Sequence, residues 1–266
     1  MNNIGLIAGN GRFPFLVAEE IKKQGDKVIT VALKEEADLD IEKVSDETVW
    51  LSVGKLQKII DTFKERNVTT AVMVGQVKHA KIYSAISMDF RAIKLMGSLL
   101  NKKADTILGS VVKEFEKDGI CFLPSHLYLK HLLAEKGLIA GKKLTSDENK
   151  DAEFGFKIAK GIAGFDIGQT VVVKDKSVLA VESIEGTDEC IKRAYRLGGE
   201  NAIVVKVAKP NQDFRFDVPV IGTNTVRTLK ENKIRAMIVE AGATLILDKE
   251  KVLKQAQSAE VTIIAV

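Results

Sequence analysis

"NIGLIAGNGRFPFLVAEEIKKQGDKVITVAL", residues 3–33, decides the fold. Its opening seven residues form a short apolar run that ends in glycine, the pattern of a buried strand. Phe13, Val17 and Ile21 then recur four apart along one helical face, and Gly25 stands where that helix stops. "KVITVAL", residues 27–33, is a second continuous apolar run rich in β-branched side chains. Strand, turn, helix and strand in this order make a βαβ unit, and such units build parallel sheets.

The same alternation continues outward. Leu56, Ile59, Ile60 and Phe63 mark a helix face, and "TTAVMVG", residues 69–75, reads as a third strand. Residues 88–117 read as helical, with Ile107, Leu108, Val111, Val112 and Phe115 in one stripe, before the short strand "ICFL" at 120–123. Residues 1–133 are thus predicted to be a Rossmann-like domain with a parallel sheet. Residues 134–149 hold two glycines, several charges and little periodicity; they read as a linker that ends in a helix start at Thr145 or Ser146, with Glu148 and Asn149 behind. Residues 150–266 resume with the helix "DAEFGFKIAKGIAG", a strand pair around Asp175 and Lys176, a helix from about Thr187 to Arg196, and the strands "NAIVVKVA", "RAMIVEA", "ATLILD" and "VTIIAV". The expectation is two α/β domains, the second with a mixed sheet, and a cleft between them of the kind that holds small molecules.

Composition narrows the class. Hydrophobic residues at 45% and charged residues at 29% are those of a globular protein, which sets disorder aside. The 40 cations and 36 anions are mixed along the chain without a basic run, so no nucleic-acid partner is expected. A net charge of +4 favours an anionic substrate or an anionic lipid surface. Cys121 and Cys190 form no CxxC pair and read as buried thiols, and His79, His126 and His131 lack the spacing of a metal pair. The start "MNNIGLIAGNG" has no signal-like pattern and no run has the length of a membrane span, so a cytoplasmic protein is expected.

Four stretches carry candidate chemistry. "AGNGRFP", Ala8 to Pro14, lies where the first strand becomes the first helix, and its glycines let the backbone approach an anion at a helix N-terminus. Gly9 and Gly11 fit GxGxxG, but Pro14 takes the third glycine's place; Glu35 lies near the distance of a ribose-binding acid. A phosphate cradle, a nicotinamide site and a tight turn without a ligand all remain open. "IEGTDECIKRA" leads from strand to helix, with Thr187 or Asp188 as its cap and Glu185 and Asp188 projecting at its mouth, or as a plain cap alone. "DIGQ", Asp166 to Gln169, reads equally as a turn before a strand. "KPNQDFRFDVPVIG", residues 209–222, crowds Lys209, Gln212, Asp213, Arg215 and Asp217 between Pro210 and Pro219, which stiffen its ends. These charges suit a held cluster, or a solvated loop.

Together, "IGLIAGNGRFP", "DIGQTVVV", "LAVESIEGTD" and "KPNQDFRFDVPVIG" occur in the order and spacing of the LpxI family, which this chain resembles over essentially its whole length. The resemblance implies hydrolysis of UDP-2,3-diacylglucosamine to UMP and 2,3-diacylglucosamine 1-phosphate in lipid A biosynthesis, with Mg²⁺ or another divalent cation. It implies that Asp217 is the catalytically important aspartate, holding the metal or orienting water, with Asp188 as a second metal ligand and Lys209 and Arg215 neutralising the diphosphate. Gly9, Asn10, Gly11, Gly75, Asp105, Gln169, Glu185, Gly186, Thr187, Asp188, Lys206, Gln212, Asp213 and Thr223 are the expected substrate-binding residues. Water is expected to attack the sugar-side phosphorus. A cytoplasmic enzyme, transiently peripheral at the inner membrane and open to homodimer formation, is the implied setting. In "KADTILGS", Ala104, Thr106 and Gly109 depart from the "GDDALLR"-like stretch of relatives, and only Asp105 is kept. The competing readings are a nucleotide-sugar binding or regulatory protein without chemistry, and an NAD-dependent oxidoreductase.

Overall fold

The computed structural model describes residues 1–34, 36–77, 88–101 and 103–266, and it divides them into two compact units. The first unit comprises Met1–Leu129 together with Asp213–Asp217, and the second comprises Lys130–Gln212 and Val218–Val266. Among the described residues no helix is long and apolar enough to cross a membrane.

In the first unit, β1 (Asn3–Ala8), β2 (Lys27–Leu33), β3 (Glu47–Leu51), β4 (Thr70–Val74) and β5 (Cys121–Phe122) form one sheet in the order β3-β2-β1-β4-β5. Every pairing is parallel. The apolar runs that mark β1 and β2 in the sequence are buried along almost their whole length, as central strands covered on both faces must be. α1 (Phe13–Lys23) begins with Pro14 in its first turn, where a missing N–H costs nothing, and buries Val17, Ala18 and Ile21. α2 (Leu56–Glu65), α3 (Phe90–Ser98) and α4 (Ala104–Lys117) follow. Phe63 of α2 and Phe115 of α4 are fully buried with Ile7, Ile29, Val31 and Ala71 of the sheet, and Phe115 meets Phe122 edge-on at 5.0 Å. Burial of each such ring contributes about 2–3 kcal/mol.

The second unit holds a six-stranded mixed sheet. β6 (Gly137–Ala140), β7 (Thr170–Lys174), β8 (Ser177–Val181), β9 (Ile203–Lys206), β11 (Ala236–Val239) and β13 (Thr262–Ala265) lie in the order β6-β13-β11-β9-β7-β8, and β10 (Val220–Ile221) pairs with β12 (Leu245–Ile246) separately. β9, β11 and β13 are parallel, while β6, β7 and β8 run against their neighbours. The tight turn between β7 and β8 places Asp175 and Lys176 at φ +50° and +54°, the conformation that a two-residue hairpin demands. α5 (Ser146–Gly164) covers one face with Ala152, Ala159 and Ala163. α6 (Thr187–Arg196), α7 (Thr223–Glu231) and α8 (Lys249–Ser258) contribute Ile191, Leu229 and Val252 to a second cluster with strand residues such as Val204, Met237 and Ile263.

Several expectations are corrected. Residues 134–149 are not a linker: they contain the edge strand β6 and the cap of α5, where Thr145 and Glu148 form a reciprocal capping box. Asp213–Asp217, placed by sequence in the second domain, packs within the first unit. The helical stretch 88–117 is two helices, α3 and α4. Cys190 is buried, and burial pushes its thiol up to about 12, but Cys121 is exposed.

Candidate functional site

The first unit presents a sheet switch point. The chain leaves β1 for β2 on one side, while β4 lies on the other side of β1, so the carboxyl ends of β1 and β4 frame the place where open α/β sheets bind ligands. Gly9, Asn10 and Gly11 follow β1, and Gly75 follows β4. Asn10 and Gln76 exchange backbone hydrogen bonds of 2.8 and 2.9 Å, which draws the two strand ends together. A Cβ on Gly9 would lie 2.7 Å from the Gln76 oxygen, and one on Gly75 2.7 Å from the Gly9 carbonyl carbon. Mutual approach of two backbones therefore accounts for both glycines. Gly75 at φ +95° and Gly11 at φ +99° also need glycine for their backbone, and the surroundings of Gly11 are open. The Asn10 amide donates to the Glu36 carbonyl at 3.1 Å. Arg12 occupies the N-cap of α1 without capping it. Asp105 lies in the first turn of α4. Glu35 and His79 lie outside the described residues.

The segment Asp213–Asp217 is held in the first unit by its even-numbered aromatics and by Ser125. The Ser125 amide donates to the Phe214 carbonyl at 2.6 Å, and the Ser125 hydroxyl lies 2.8 Å from the carbonyl oxygens of Arg215 and Met73. His126 meets the Phe214 ring edge-on at 5.0 Å, and Phe216 packs against the unit's core. Arg215 grips Asp213 side-on, Nε to Oδ1 at 3.0 Å and Nη2 to Oδ2 at 2.7 Å, and its Nη1 donates to Glu116 at 3.0 Å. This fork holds the Asp213 carboxyl below its usual range. The Asp217 amide donates to the Asp213 carbonyl at 3.1 Å, so the half-buried Asp217 closes a turn with fixed backbone.

The second unit gathers three of the expected residues around one that the sequence reading missed. Glu182, 9% exposed, accepts from the Thr187 hydroxyl at 2.8 Å with Oε1 and from the Gln169 amide at 3.1 Å with Oε2. Lys206 Nζ donates to the Thr187 hydroxyl at 2.8 Å. A lysine, a hydroxyl and a buried carboxylate thus form a chain at the N-terminus of α6, where the helix dipole also favours an anion. The N-cap is Gly186 at φ +85°, not Thr187 or Asp188. Glu185 does not project freely, because Arg193 holds it at 2.7 Å and lowers its carboxyl below the usual range. Asp188 is exposed in the first turn of α6. Lys209 Nζ pairs with Asp166 at 2.7 Å, its amide donates to Gln212 Oε1 at 2.8 Å, and Thr223 opens α7. Lys160 fixes the approach to this segment through the Ala208 carbonyl at 2.9 Å and Glu240 at 3.0 Å.

The predicted catalytic trio is split by this organisation: Arg215 and Asp217 belong to the first unit and Lys209 to the second. The two suggested metal ligands, Asp217 and Asp188, are likewise in separate units. Among the described residues no three His, Cys, Asp or Glu side chains group as a resident metal would require.

Two sequence models of the LpxI family match the chain in succession, the LpxI N-terminal domain at residues 3–132 and the LpxI C-terminal domain at residues 135–264. A curated relative, the UDP-2,3-diacylglucosamine pyrophosphatase LpxI of Caulobacter vibrioides, is 29% identical over 267 residues, covering 96% of this chain and 94% of that protein. Among solved structures, the biotin carboxylase subunit of pyruvate carboxylase matches at TM-score 0.30 and 13% identity, over 74% of this chain and 41% of its own. Phosphoribosylglycinamide synthetase from Anaerococcus prevotii matches at TM-score 0.27 and 16% identity, over 72% of this chain and 41% of its own. The chain spans less than half of each, and similarity at that level carries no functional argument.

Proposed function

The chain belongs to the LpxI family, and from that membership we propose that it hydrolyses the pyrophosphate of UDP-2,3-diacylglucosamine, releasing UMP and 2,3-diacylglucosamine 1-phosphate. The observation that carries this reading is the unbroken pair of domain matches, supported by a curated pyrophosphatase aligned over nearly both full lengths. In this reading the Asp217 carboxylate, on its pinned turn, orients the attacking water at the sugar-side phosphorus. Within the second unit, Lys206 and the N-terminus of α6 offer cationic and N–H groups suited to an anion. Arg215, already forked onto Asp213 and Glu116, is a positioning residue that keeps the Asp217 turn in place.

A divalent cation fits this donor set as a companion of the substrate rather than as a resident ion. Mg²⁺ is commonly held by one or two carboxylates together with substrate phosphates, and a half-buried carboxylate such as Asp217 suits that arrangement. The cation's chemistry is to offset charge on the diphosphate oxygens. The test is turnover of UDP-2,3-diacylglucosamine by the whole protein, with chromatographic identification of products. UMP and the sugar 1-phosphate are expected, lost with EDTA and restored by Mg²⁺, while EDTA leaves the melting temperature unchanged. A metal-dependent melting temperature would place a resident ion in the protein, and products other than these two would end the assignment.

A further inference from the structure

The outer face of α3 exposes large apolar side chains. Phe90 is 83% exposed and Ile93 54% exposed, and Leu100, two residues beyond the helix, is wholly exposed. Phe90, Ile93 and Lys94 lie on one side of the helix, three and four positions apart, while Ala92 and Leu95 on the other side are buried or packed on the core. The charges around this apolar face are cationic. Lys94 and Lys103 are exposed, whereas the carboxylate of Asp89 is turned inward onto the amides of Gln57 and Ala92, at 2.7 and 2.9 Å. Asp105 sits half-buried in the first turn of α4, and Glu114 and Asp118 are paired with Arg91. Exposed large apolar side chains edged by lysines match the two components of an anionic bilayer surface, hydrocarbon below and phosphate above.

We propose that α3, with Leu100 and Lys103 beyond it, docks this protein on an anionic phospholipid surface, with Phe90, Ile93 and Leu100 entering the interface and Lys94 and Lys103 pairing with headgroup phosphate. The purpose of such docking rests on the lipid substrate proposed above, but its evidence is the charge and exposure of this face. Binding to phospholipid alone, without substrate, therefore succeeds or fails independently of turnover.

The experiment is vesicle co-sedimentation of the full chain, with phosphatidylcholine vesicles containing or lacking about one-third phosphatidylglycerol, at low and high salt. The protein is expected to sediment with the anionic vesicles at low salt and to be released at high salt. The triple variant Phe90→Ser, Ile93→Ser, Leu100→Ser should lower partitioning about tenfold or more. Lys94→Glu should lower it about fivefold. Both should keep the wild-type melting temperature and the wild-type turnover of detergent-dispersed substrate. Equal sedimentation of wild type and variants, or none by the wild type, overturns the proposal. So does a wild-type dimer, measured by light scattering, that the triple substitution converts to monomer, because the face would then belong to a second copy of the chain.

Discussion

Asp217→Asn is expected to leave the protein folded and to lower kcat on UDP-2,3-diacylglucosamine by about 100-fold or more. The backbone of this turn is fixed by groups other than the Asp217 side chain: Ser125 holds the Phe214 and Arg215 carbonyls, and the Asp217 amide is bonded to the Asp213 carbonyl. An amide of the same shape therefore keeps these backbone bonds while it removes the negative charge that orients water. Circular dichroism and the melting temperature should match the wild type, and KM should change little, because removing a group that acts in the transition state lowers kcat and kcat/KM together. Asp213→Asn should cost less in kcat, since that carboxylate faces Arg215. Near-normal turnover by Asp217→Asn would remove Asp217 from the chemistry.

The largest effect on stability is expected at Gly168. A methyl group there would overlap the Glu182 carbonyl oxygen and lie 2.6 Å from its carbon. Glu182 cannot retreat, because its amide donates to the Thr170 carbonyl at 2.8 Å and its carboxylate is bonded to Thr187 and Gln169. Gly168→Ala should therefore destabilise the second unit by about 3 kcal/mol or more. For a domain of this size the melting transition then falls by roughly 6–12 °C. Gly161→Ala is the internal control: it lies in α5, nothing is within 4 Å of the added methyl, and alanine is the better helix former by about 1 kcal/mol. Calorimetry of both variants decides the matter, and a Gly168→Ala melting temperature equal to the wild type would contradict the packing of this turn.

What the sequence made legible follows from burial. β1, β2, β7 and β9 are buried on both faces and show as continuous apolar runs, and Thr145 with Glu148 announces α5 because a capping box is a purely local device. β3, "ETVWL", and β6, "GLIA", escaped because edge strands are short and half-exposed, and the two-residue strand β10 is too brief to carry a period, whereas β12 falls within the expected strand "ATLILD". The stretches "DIGQTVVV" and "LAVESIEGTD" hold Gln169 and Thr187, which the fold brings together with Lys206. Glu182, which joins them, was missed because a lone acid at the end of a strand reads as a surface residue until its partners are seen. The placement of Asp213–Asp217 depends on Ser125, 90 positions away from Arg215, and no local pattern reports a contact of that kind. Two phenylalanines alternating with charges were the available signal for a segment anchored on one side.

The measurement that bears most directly on the proposed reaction is hydrolysis of UDP-2,3-diacylglucosamine by the whole protein in ¹⁸O-labelled water with Mg²⁺, followed by mass spectrometry of both products. Attack at either phosphorus breaks the same bridge and gives the same two compounds, so only the position of the heavy oxygen tells them apart. With the Asp217 turn delivering water to the sugar-side phosphorus, the label is expected in 2,3-diacylglucosamine 1-phosphate, and UMP is expected unlabelled. Label in UMP would contradict the direction of attack and the role given to Asp217, and intact substrate after prolonged incubation would contradict the hydrolase itself.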